Sequence, residues 1–333
     1  MLLYFIPGNF LLTITSYYEW RMQLAGRFDR ILYINIIRQS INLLLLVAGI
    51  FWWHRVAPQS LVWYFNGGLA AAALLALFTE MRLFKLHWRW PAAEIKSLFQ
   101  YGRFALLTNT ASSVFRTTDH FMVSALVSTA AVAPLSLCVR LINIIDIPSQ
   151  VLSEVLFVHT AQRAADGGRN KAAETFEFAV GSALALVLPA VMVLCFFPSF
   201  FLLVIGGAKY TAYGWLLQLV CATALVMPFM RQFGTITDAA GMPALNALVM
   251  GLLMLLNIGA CYIGVSIFGL AGAPLAVFSA QAIILVVILA IAKRHFNVSY
   301  ARIWRSFIGC YSLIWQLLII NPFSRFKRKN NLT

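Results

Sequence analysis

The stretch ALNALVMGLLMLLNIGACYIGVSIFGLAGAPLAVFSAQAIILVVILAIA, residues 244–292, decides the fold class of this chain. It holds no charged residue, and its apolar residues run in long blocks instead of the regular alternation of half-buried strands and helices. A helix crosses a bilayer with roughly 20 mostly apolar residues. Because backbone groups in hydrocarbon must be paired within their own segment, this stretch predicts two transmembrane helices.

The same pattern extends over the whole chain. Of its 333 residues, 61% are hydrophobic and 11% are charged, whereas a soluble domain has roughly 25% charged residues. The apolar blocks predict these spans, the last of them weak: 2–20, 31–53, 61–81, 101–126, 131–158, 173–204, 211–235, 244–266, 271–292 and 304–320. We therefore expect an all-α, polytopic helical membrane protein with about nine to ten transmembrane helices.

The net charge of +14 forms no dense patch of the kind that binds nucleic acid. Most basic residues between the spans fall in every second interval: 21–30, 82–100, 159–172 and 293–303. The opposite side has only Arg55 and Lys209. Basic loops stay in the cytoplasm, so this asymmetry orients the chain. Met1 would then lie outside, which is most simply explained by an odd number of helices upstream of it.

The long polar interval 82–100 marks the predicted internal boundary. We expect three parts: 1–90 with three helices, 91–293 with six, and 294–333 with the weak segment and a basic tail. Two six-helix repeats without their first three helices would give this count. For 304–320, which is rich in tryptophan and tyrosine, we favour an interfacial or re-entrant segment over a crossing.

Enzyme and cofactor signatures are missing from the sequence. The string GGAKY at 206–210 lacks the spacing and the hydroxyl of a phosphate-binding loop, and neither HExxH nor GxSxG occurs. The five cysteines fall in apolar blocks without CxxC spacing, which indicates buried thiols instead of disulfides or a metal site. We therefore expect that the protein is not an enzyme. We also expect no catalytic residue, no cofactor and no metal.

Charged residues inside the spans are the candidate functional residues. Each costs about 2.5–3.5 kcal/mol at the bilayer centre, so it usually faces a water-filled cavity or a partner. The deep charges are Arg116, Arg140, Arg231, Asp119, Asp146 and Glu154. In the span 101–126, Asn109, Ser112, Arg116 and either Asp119 or His120 recur at three- and four-residue steps. This spacing predicts a polar stripe on one helix face.

Two interpretations of these charges stay open. In the first, Arg116 pairs with Asp119 and fixes helix packing, Arg231 anchors its span at the interface, and His120 is a satisfied core histidine. In the second, the arginines line a cavity for an anionic substrate, since the planar donor fork of arginine suits phosphate. The embedded acids could then carry a coupling ion, because a carboxylate near a cation has a movable charge state.

Three stretches resemble one known family. NTASSVFRTTDHFMVSALVSTAAVAPLSLCVRLINI (109–144) is similar to the start of the C-terminal lobe of polysaccharide flippases, with Arg-x-x-Asp on a polar helix, a short outer turn and then xxRL. DAAGMPALNALVMGLLMLLNIGACYIGVSIFGLAGAPLAV (238–277) is similar to later helices of that family, where an asparagine-containing span precedes a Gly-x-x-Gly turn. FLLTITSYYEWRMQLAGRFDRILYINIIRQ (10–39) resembles the family's fourth helix and its cytoplasmic turn.

These are the O-antigen and exopolysaccharide flippases, whose superfamily also holds the multidrug and toxin exporters. The resemblance implies two lobes around a central cavity, in the bacterial inner membrane. It also implies alternating-access export of an undecaprenyl-diphosphate-linked oligosaccharide. Two departures are expected to matter: the family's first three helices are missing here, and Val158 and His159 stand where the family often has Phe-Pro.

The resemblance implies the following roles. The expected substrate-binding residues are Arg116, Arg140, Arg231 and Asn109, and the expected ion-coupling residues are Asp119, Asp146 and Glu154. The partners are the lipid-linked oligosaccharide, the lipid bilayer and other polysaccharide export proteins. A cation or drug antiporter of the same superfamily, and a truncated, non-transporting remnant or assembly partner, are the alternatives.

Overall fold

The computed structural model describes residues 6–51, 58–79 and 92–319. The regular structure of these residues consists of α-helices and two short 3₁₀ helices, with no β-strand among them. The chain divides into two compact units, Met1–Pro91 and Ala92–Thr333. The all-α class predicted from the sequence is confirmed.

The first unit contains three helices: α1 (Ile6–Leu24), α2 (Phe28–Phe51) and α3 (Pro58–Thr79). They overlap the first three predicted spans, with limits that differ by a few residues, and α3 packs against both α1 and α2. The close packing depends on small residues: a Cβ on Gly49 would lie 2.5 Å from the Tyr64 ring. The embedded Glu19 accepts a 3.1 Å hydrogen bond from Asn35 and lies 3.9 Å from the Arg38 guanidinium.

The second unit contains eight α-helices in its described residues. They are α4 (Ala92–Leu126), α5 (Val132–Phe196), α6 (Pro198–Gly206), α7 (Gly214–Ala224), α8 (Met227–Ala239), α9 (Pro243–Phe268), α10 (Gly272–Phe296) and α11 (Tyr300–Ile319). The predicted loops at 21–30 and 293–303 are shorter in the structure than in the prediction, because helices extend into them. Most of the predicted boundary 82–100 lies outside the described residues.

The predicted loop 159–172 is part of helix α5, which is a difference from the prediction. At 1.5 Å per residue, a straight helix of this length would measure about 98 Å. Yet Leu135 near its start and Leu194 near its end belong to one hydrophobic core. The chain therefore reverses its direction within α5. We call Val132–Leu156 the first arm of α5 and Ala173–Phe196 its second arm.

The predicted span 211–235 is interrupted in the structure. Helix α7 ends at Ala224 and α8 begins at Met227, with Pro228 in the first turn of α8. A proline fits this position because the first turn of a helix has no intrahelical acceptor for its N–H groups. The break lies shortly before Arg231, which is in α8.

Helix α11 lies alongside the second arm of α5. The Ser299 amide donates to Glu177 over 2.6 Å, and the Tyr311 hydroxyl donates to the Ala185 carbonyl over 2.9 Å. Between these points, a Cβ on Gly181 would lie 2.7 Å from the Ile303 carbonyl oxygen. The two helices therefore run parallel. The first half of α11 packs along the apolar second arm, whereas the prediction favoured an interfacial or re-entrant segment for 304–320.

Six helical stretches of the described residues are long and apolar enough to cross a membrane. They are Phe28–Phe51, Gln59–Thr79, Val132–Leu156, Ala173–Phe196, Ala208–Ala239 and Pro243–Phe296, of which the last contains both α9 and α10. Exposed side chains on these helices are largely apolar, such as Leu255, Ile263 and Val286. Such surfaces suit contact with lipid, and the chain is a multi-pass helical membrane protein.

Candidate functional site

A cavity of about 930 Å³ lies within the second unit. Its walls come from α4, the first arm of α5, and helices α7 to α10. Along α4 the lining runs from Thr108 to Ser124, a rise of about 24 Å at 1.5 Å per residue. The cavity is therefore a long groove that covers most of the depth of a membrane span.

Five of the seven predicted site residues line this cavity. They are Arg116, Arg140, Arg231, Asp119 and Asp146. Asn109 is exposed but does not line the cavity. On α4 the lining includes Ser112 and Thr108, one turn apart, in place of the predicted Ser112 and Asn109. Glu154 also lies outside it, since the lining of the first arm ends at Gln150.

The predicted Arg116–Asp119 pair is not formed. Asp119 instead accepts from the backbone N–H of His120 over 2.8 Å, and its Oδ1 lies 2.8 Å from Nδ1 of the same histidine. The Asp119 side chain is 12% exposed and that of His120 27% exposed. The acid thus has a partner on its own helix, one residue further along the chain.

Arg116 and Arg140 are not paired with an acid in the part of the chain that the structure describes. Among the described residues, neither guanidinium forms an ion pair, and both side chains are exposed on the cavity lining. Helix α4 ends at Leu126 and α5 begins at Val132. Counted from those ends, the two arginines lie about 15 and 12 Å along their helices, which gives them a similar depth.

Arg231 is held differently. Its guanidinium donates to Oδ2 of Asp146, which also accepts from Gln150 over 3.3 Å. Asp146 is buried, whereas the Arg231 side chain is 26% exposed. This ion pair joins the first arm of α5 to the start of α8, just after the break between α7 and α8. Oδ1 of Asp146 and Nε of Arg231 have no partner among the described residues.

Three arginines and two aspartates line the cavity. The Asp146–Arg231 pair is neutral as a unit, and Asp119 is held by His120. With a neutral His120, the three arginines and two aspartates give the lining one net positive charge, and Arg116 and Arg140 are the two arginines of the lining that form no ion pair with a described residue. A carboxylate, phosphate or diphosphate complements such a pair, because a guanidinium offers parallel N–H donors to two anionic oxygens.

The structure also adds residues to the cavity that the sequence analysis missed. Amide and hydroxyl side chains line it from several helices: Gln150, Thr223, Asn246 and Gln281. A signal for the last of these was present, because Gln281 is the sole amide or charged residue of the span 271–292. An isolated amide in an apolar span is expected to face a partner or a cavity.

A second buried charge lies away from the cavity. Glu177 of the second arm is 2% exposed and accepts from Arg302 Nε over 2.7 Å, in addition to the Ser299 amide. Arg302 also donates to the Asn297 carbonyl over 3.1 Å, at the left-handed residue that ends α10. This contact fixes the start of α11.

The family profile described as "Polysaccharide biosynthesis protein" matches residues 8–214, more than half of the chain. Comparison with curated protein sequences gave no match. Because the family match begins in the first unit and ends at the start of α7, it includes the helices that carry Arg116 and Arg140. The resemblance inferred from the sequence is confirmed at the level of this family.

Solved structures of transporters share the fold. An outward-facing MATE family transporter of the MOP superfamily matches with a TM-score of 0.77 at 12% identity, over 88% of this chain and 68% of that one. A MATE in the straight conformation gives 0.76 at 12% identity, over 88% and 69%.

A MOP superfamily transporter from Pyrococcus furiosus Vc1, described as having a binding pocket of reverse polarity, gives 0.71 at 13% identity, over 88% and 75%. At these identities the likeness shows the fold. Because the family profile matches more than half of the chain, the chain belongs to the polysaccharide biosynthesis protein family, as a multi-pass membrane protein of the polysaccharide-exporter type.

Proposed function

We propose that the protein is a flippase for undecaprenyl-diphosphate-linked oligosaccharide, an O-antigen or exopolysaccharide repeat unit, in the bacterial inner membrane. The observation that carries this proposal is the two arginines that form no ion pair with a described residue, Arg116 and Arg140, at similar depth in the cavity of a polysaccharide biosynthesis family member. A diphosphate is the anionic part of such a substrate, and its charge matches the two guanidinium groups.

The substrate would be divided between two environments. The diphosphate and the sugars enter the polar groove, while the polyprenyl tail stays in the hydrocarbon beside the apolar outer faces of the helices. Alternating access would then expose the groove to one side of the membrane at a time. Arg231 plays a supporting part in this scheme, because Asp146 already occupies its guanidinium.

Transport against a gradient requires a source of free energy, which an ion gradient can supply, and the acids differ in their suitability as ion carriers. Asp119 lines the cavity and contacts the imidazole of His120, so a proton can be exchanged with the groove. Asp146 is neutralised by Arg231, and Glu154 lies outside the lining. We therefore propose Asp119, together with His120, as the ion-coupling group ahead of Asp146 and Glu154.

A cation or drug antiporter is the contrasting function on this fold. A cation-binding groove would need acids that are not already neutralised. Here arginines outnumber aspartates in the lining by three to two, and bringing a cation beside Arg116 and Arg140 would be repulsive. The charge of the lining thus favours an anionic substrate.

The test is a substitution in the chromosomal gene, so that the protein is expressed in its natural form. Arg116→Ala or Arg140→Ala should lower surface polysaccharide strongly while the amount of protein in the membrane stays normal. Arg→Lys should restore export in part, because a lysine keeps the charge but loses the bidentate fork. Arg294→Ala, an exposed arginine at the end of α10, is the control and should export normally.

Two results would overturn the proposal. Normal polysaccharide export in the Arg116→Ala, Arg140→Ala double variant would remove the cationic groove from the mechanism. Resistance to lipophilic cations that depends on Asp119, without any change in surface polysaccharide, would instead identify a cation antiporter.

A further inference from the structure

Gln281 of α10 has an environment that packing alone does not explain. The side chain lines the cavity, and the residue is 2% exposed. Neither end of its amide has a hydrogen-bond partner among the described residues, so the result holds for either orientation of the amide. Buried polar side chains without a partner are rare in folded proteins, and each requires an explanation.

Comparable amides of the second unit are paired. Asn246, which is 5% exposed and lines the same cavity, donates to Asp238 over 2.9 Å. Gln232, as buried as Gln281 at 2% exposed, donates to the Ser153 hydroxyl over 2.8 Å and does not line the cavity. Gln281 thus combines burial, position on the cavity wall and a free donor and acceptor.

The chemistry of this amide differs from that of the arginines. A guanidinium only donates hydrogen bonds, whereas a glutamine amide both donates and accepts. Phosphate oxygens are acceptors, so a diphosphate suits Arg116 and Arg140 but leaves the Gln281 carbonyl oxygen unpaired. A sugar hydroxyl or acetamido group both donates and accepts, and it can pair with both ends of the amide.

The position of Gln281 fits a sugar next to the diphosphate. Helix α10 begins at Gly272, after the turn that follows α9. Gln281 therefore lies about 14 Å along α10 from that turn, similar to the depths of about 15 and 12 Å for Arg116 and Arg140 along their helices. The group attached directly to the diphosphate is the first sugar of the lipid-linked glycan.

We infer that Gln281 is a sugar-binding subsite that recognises a hydroxyl or acetamido group of the first sugar. This inference rests on the proposed function, since it assumes a diphosphate-linked glycan in the same cavity. It assigns the glycan a contact separate from the two arginines. The sugar contact can therefore be removed without removing the diphosphate contact.

The experiment measures binding of two probes to the purified full-length protein in lipid nanodiscs. One probe is geranylgeranyl diphosphate, and the other is the same lipid diphosphate linked to N-acetylglucosamine. The protein should bind the sugar-linked probe about three- to tenfold more tightly, which corresponds to one or two neutral hydrogen bonds. Gln281→Met should abolish this difference and leave the Kd of the sugar-free probe unchanged.

Gln232→Met is the matched control. It removes an equally buried glutamine that is paired with Ser153 and lies off the cavity. It should lower the thermal stability of the protein but keep the preference for the sugar-linked probe. Gln281→Met should not lower the stability, because it removes an unpaired polar group. If Gln281→Met does not fold, Gln281→Asn, which shortens the amide by one methylene, should show the same loss of preference.

The outcomes separate this inference from the proposed function. Equal binding of both probes by the unaltered protein, or an unchanged preference in the Gln281 variants, would overturn the sugar subsite and leave diphosphate binding standing. If the protein binds neither probe, the proposed function is overturned, and the subsite with it.

Discussion

At the scale of single residues, the partners of the embedded charges determine what each charge can do. Asp119 and Asp146 are both acids in apolar helices, yet one contacts a histidine and the other an arginine. Arg116 and Arg140 form no ion pair in the described structure. The same residue type is therefore open to an anionic ligand at Arg116 and joins two helices at Arg231.

The contributions of Asp146 and Arg231 to the free energy of unfolding should be coupled, because each charge compensates the other. Arg231→Met alone leaves a buried carboxylate unpaired and should cost roughly 3 kcal/mol of unfolding free energy, at the lower end of the range because part of Arg231 stays exposed. Adding Asp146→Leu should recover most of this loss. Thermal unfolding of the two single variants and the double variant forms a double-mutant cycle. Additive losses would show that the pair contributes no coupling.

Gly272 should be intolerant of any side chain. A Cβ there would lie 1.9 Å from the carbonyl oxygen of Gly264, so α9 and α10 would have to separate. Gly272→Ala should destabilise the protein by about 1–3 kcal/mol, as overpacking does. Gly259→Ala on α9 is the control, because its Cβ would meet nothing within 4 Å. The control should be neutral or slightly stabilising, and equal melting temperatures for both variants would contradict the close helix contact.

At the scale of helices, two irregularities depart from the predicted pattern of spans. The break between α7 and α8 precedes Arg231, and the reversal of α5 brings both of its arms into the second unit. Helix α11 is fixed to the second arm by Glu177, which contacts both the N-terminus of α11 and Arg302. A buried carboxylate at a helix N-terminus also interacts favourably with the helix dipole.

Removing the Glu177 charge should loosen α11 selectively. Glu177→Gln weakens the charge-assisted bonds to Arg302 and Ser299, each of which contributes about 1.5–3 kcal/mol. Amide hydrogen exchange in the first turns of α11 should become roughly tenfold faster or more, while exchange in α9 and α10 stays unchanged. Glu174→Gln, an exposed glutamate on the same arm, is the control. Uniform acceleration over all helices would indicate global destabilisation instead.

At the scale of the whole molecule, charge and hydropathy set the relation to the membrane. The six apolar stretches make the chain a multi-pass protein, and its basic residues concentrate in alternate connections. The chain spans about two thirds of the length of MATE transporters that share its fold, 68% of the outward-facing one and 69% of the one in the straight conformation. The cavity lies entirely in the second unit.

Orientation is testable with single cysteines. We expect a cysteine in place of His295, exposed at the end of α10, to react with a membrane-impermeant maleimide only from the cytoplasm. A cysteine in place of Ala130, exposed in the turn between α4 and α5, should react only from outside. The partly buried Cys195 and Cys310 are first replaced by serine. The opposite labelling pattern would mean that the positive-inside orientation is wrong.

The sequence by itself determined the membrane class, the approximate limits of most helices, and the family. These follow from local quantities, because the transfer free energy of each apolar block depends on its own residues. It also picked out five of the residues that line the cavity, since a charge inside an apolar span is costly wherever the span lies. The division into lobes at residue 90 remains a prediction.

Only the tertiary structure decided which polar groups meet. Asp146 and Arg231 are separated by 85 residues, and Ser299 and its acceptor Glu177 by 122. Such pairs depend on how the helices rotate and pack, which the periodicity of one span does not encode. For the same reason the sequence did not predict that Asn109 lies outside the cavity lining or that Asp119 contacts His120. It also did not predict that Gln281 is a buried amide without a partner among the described residues.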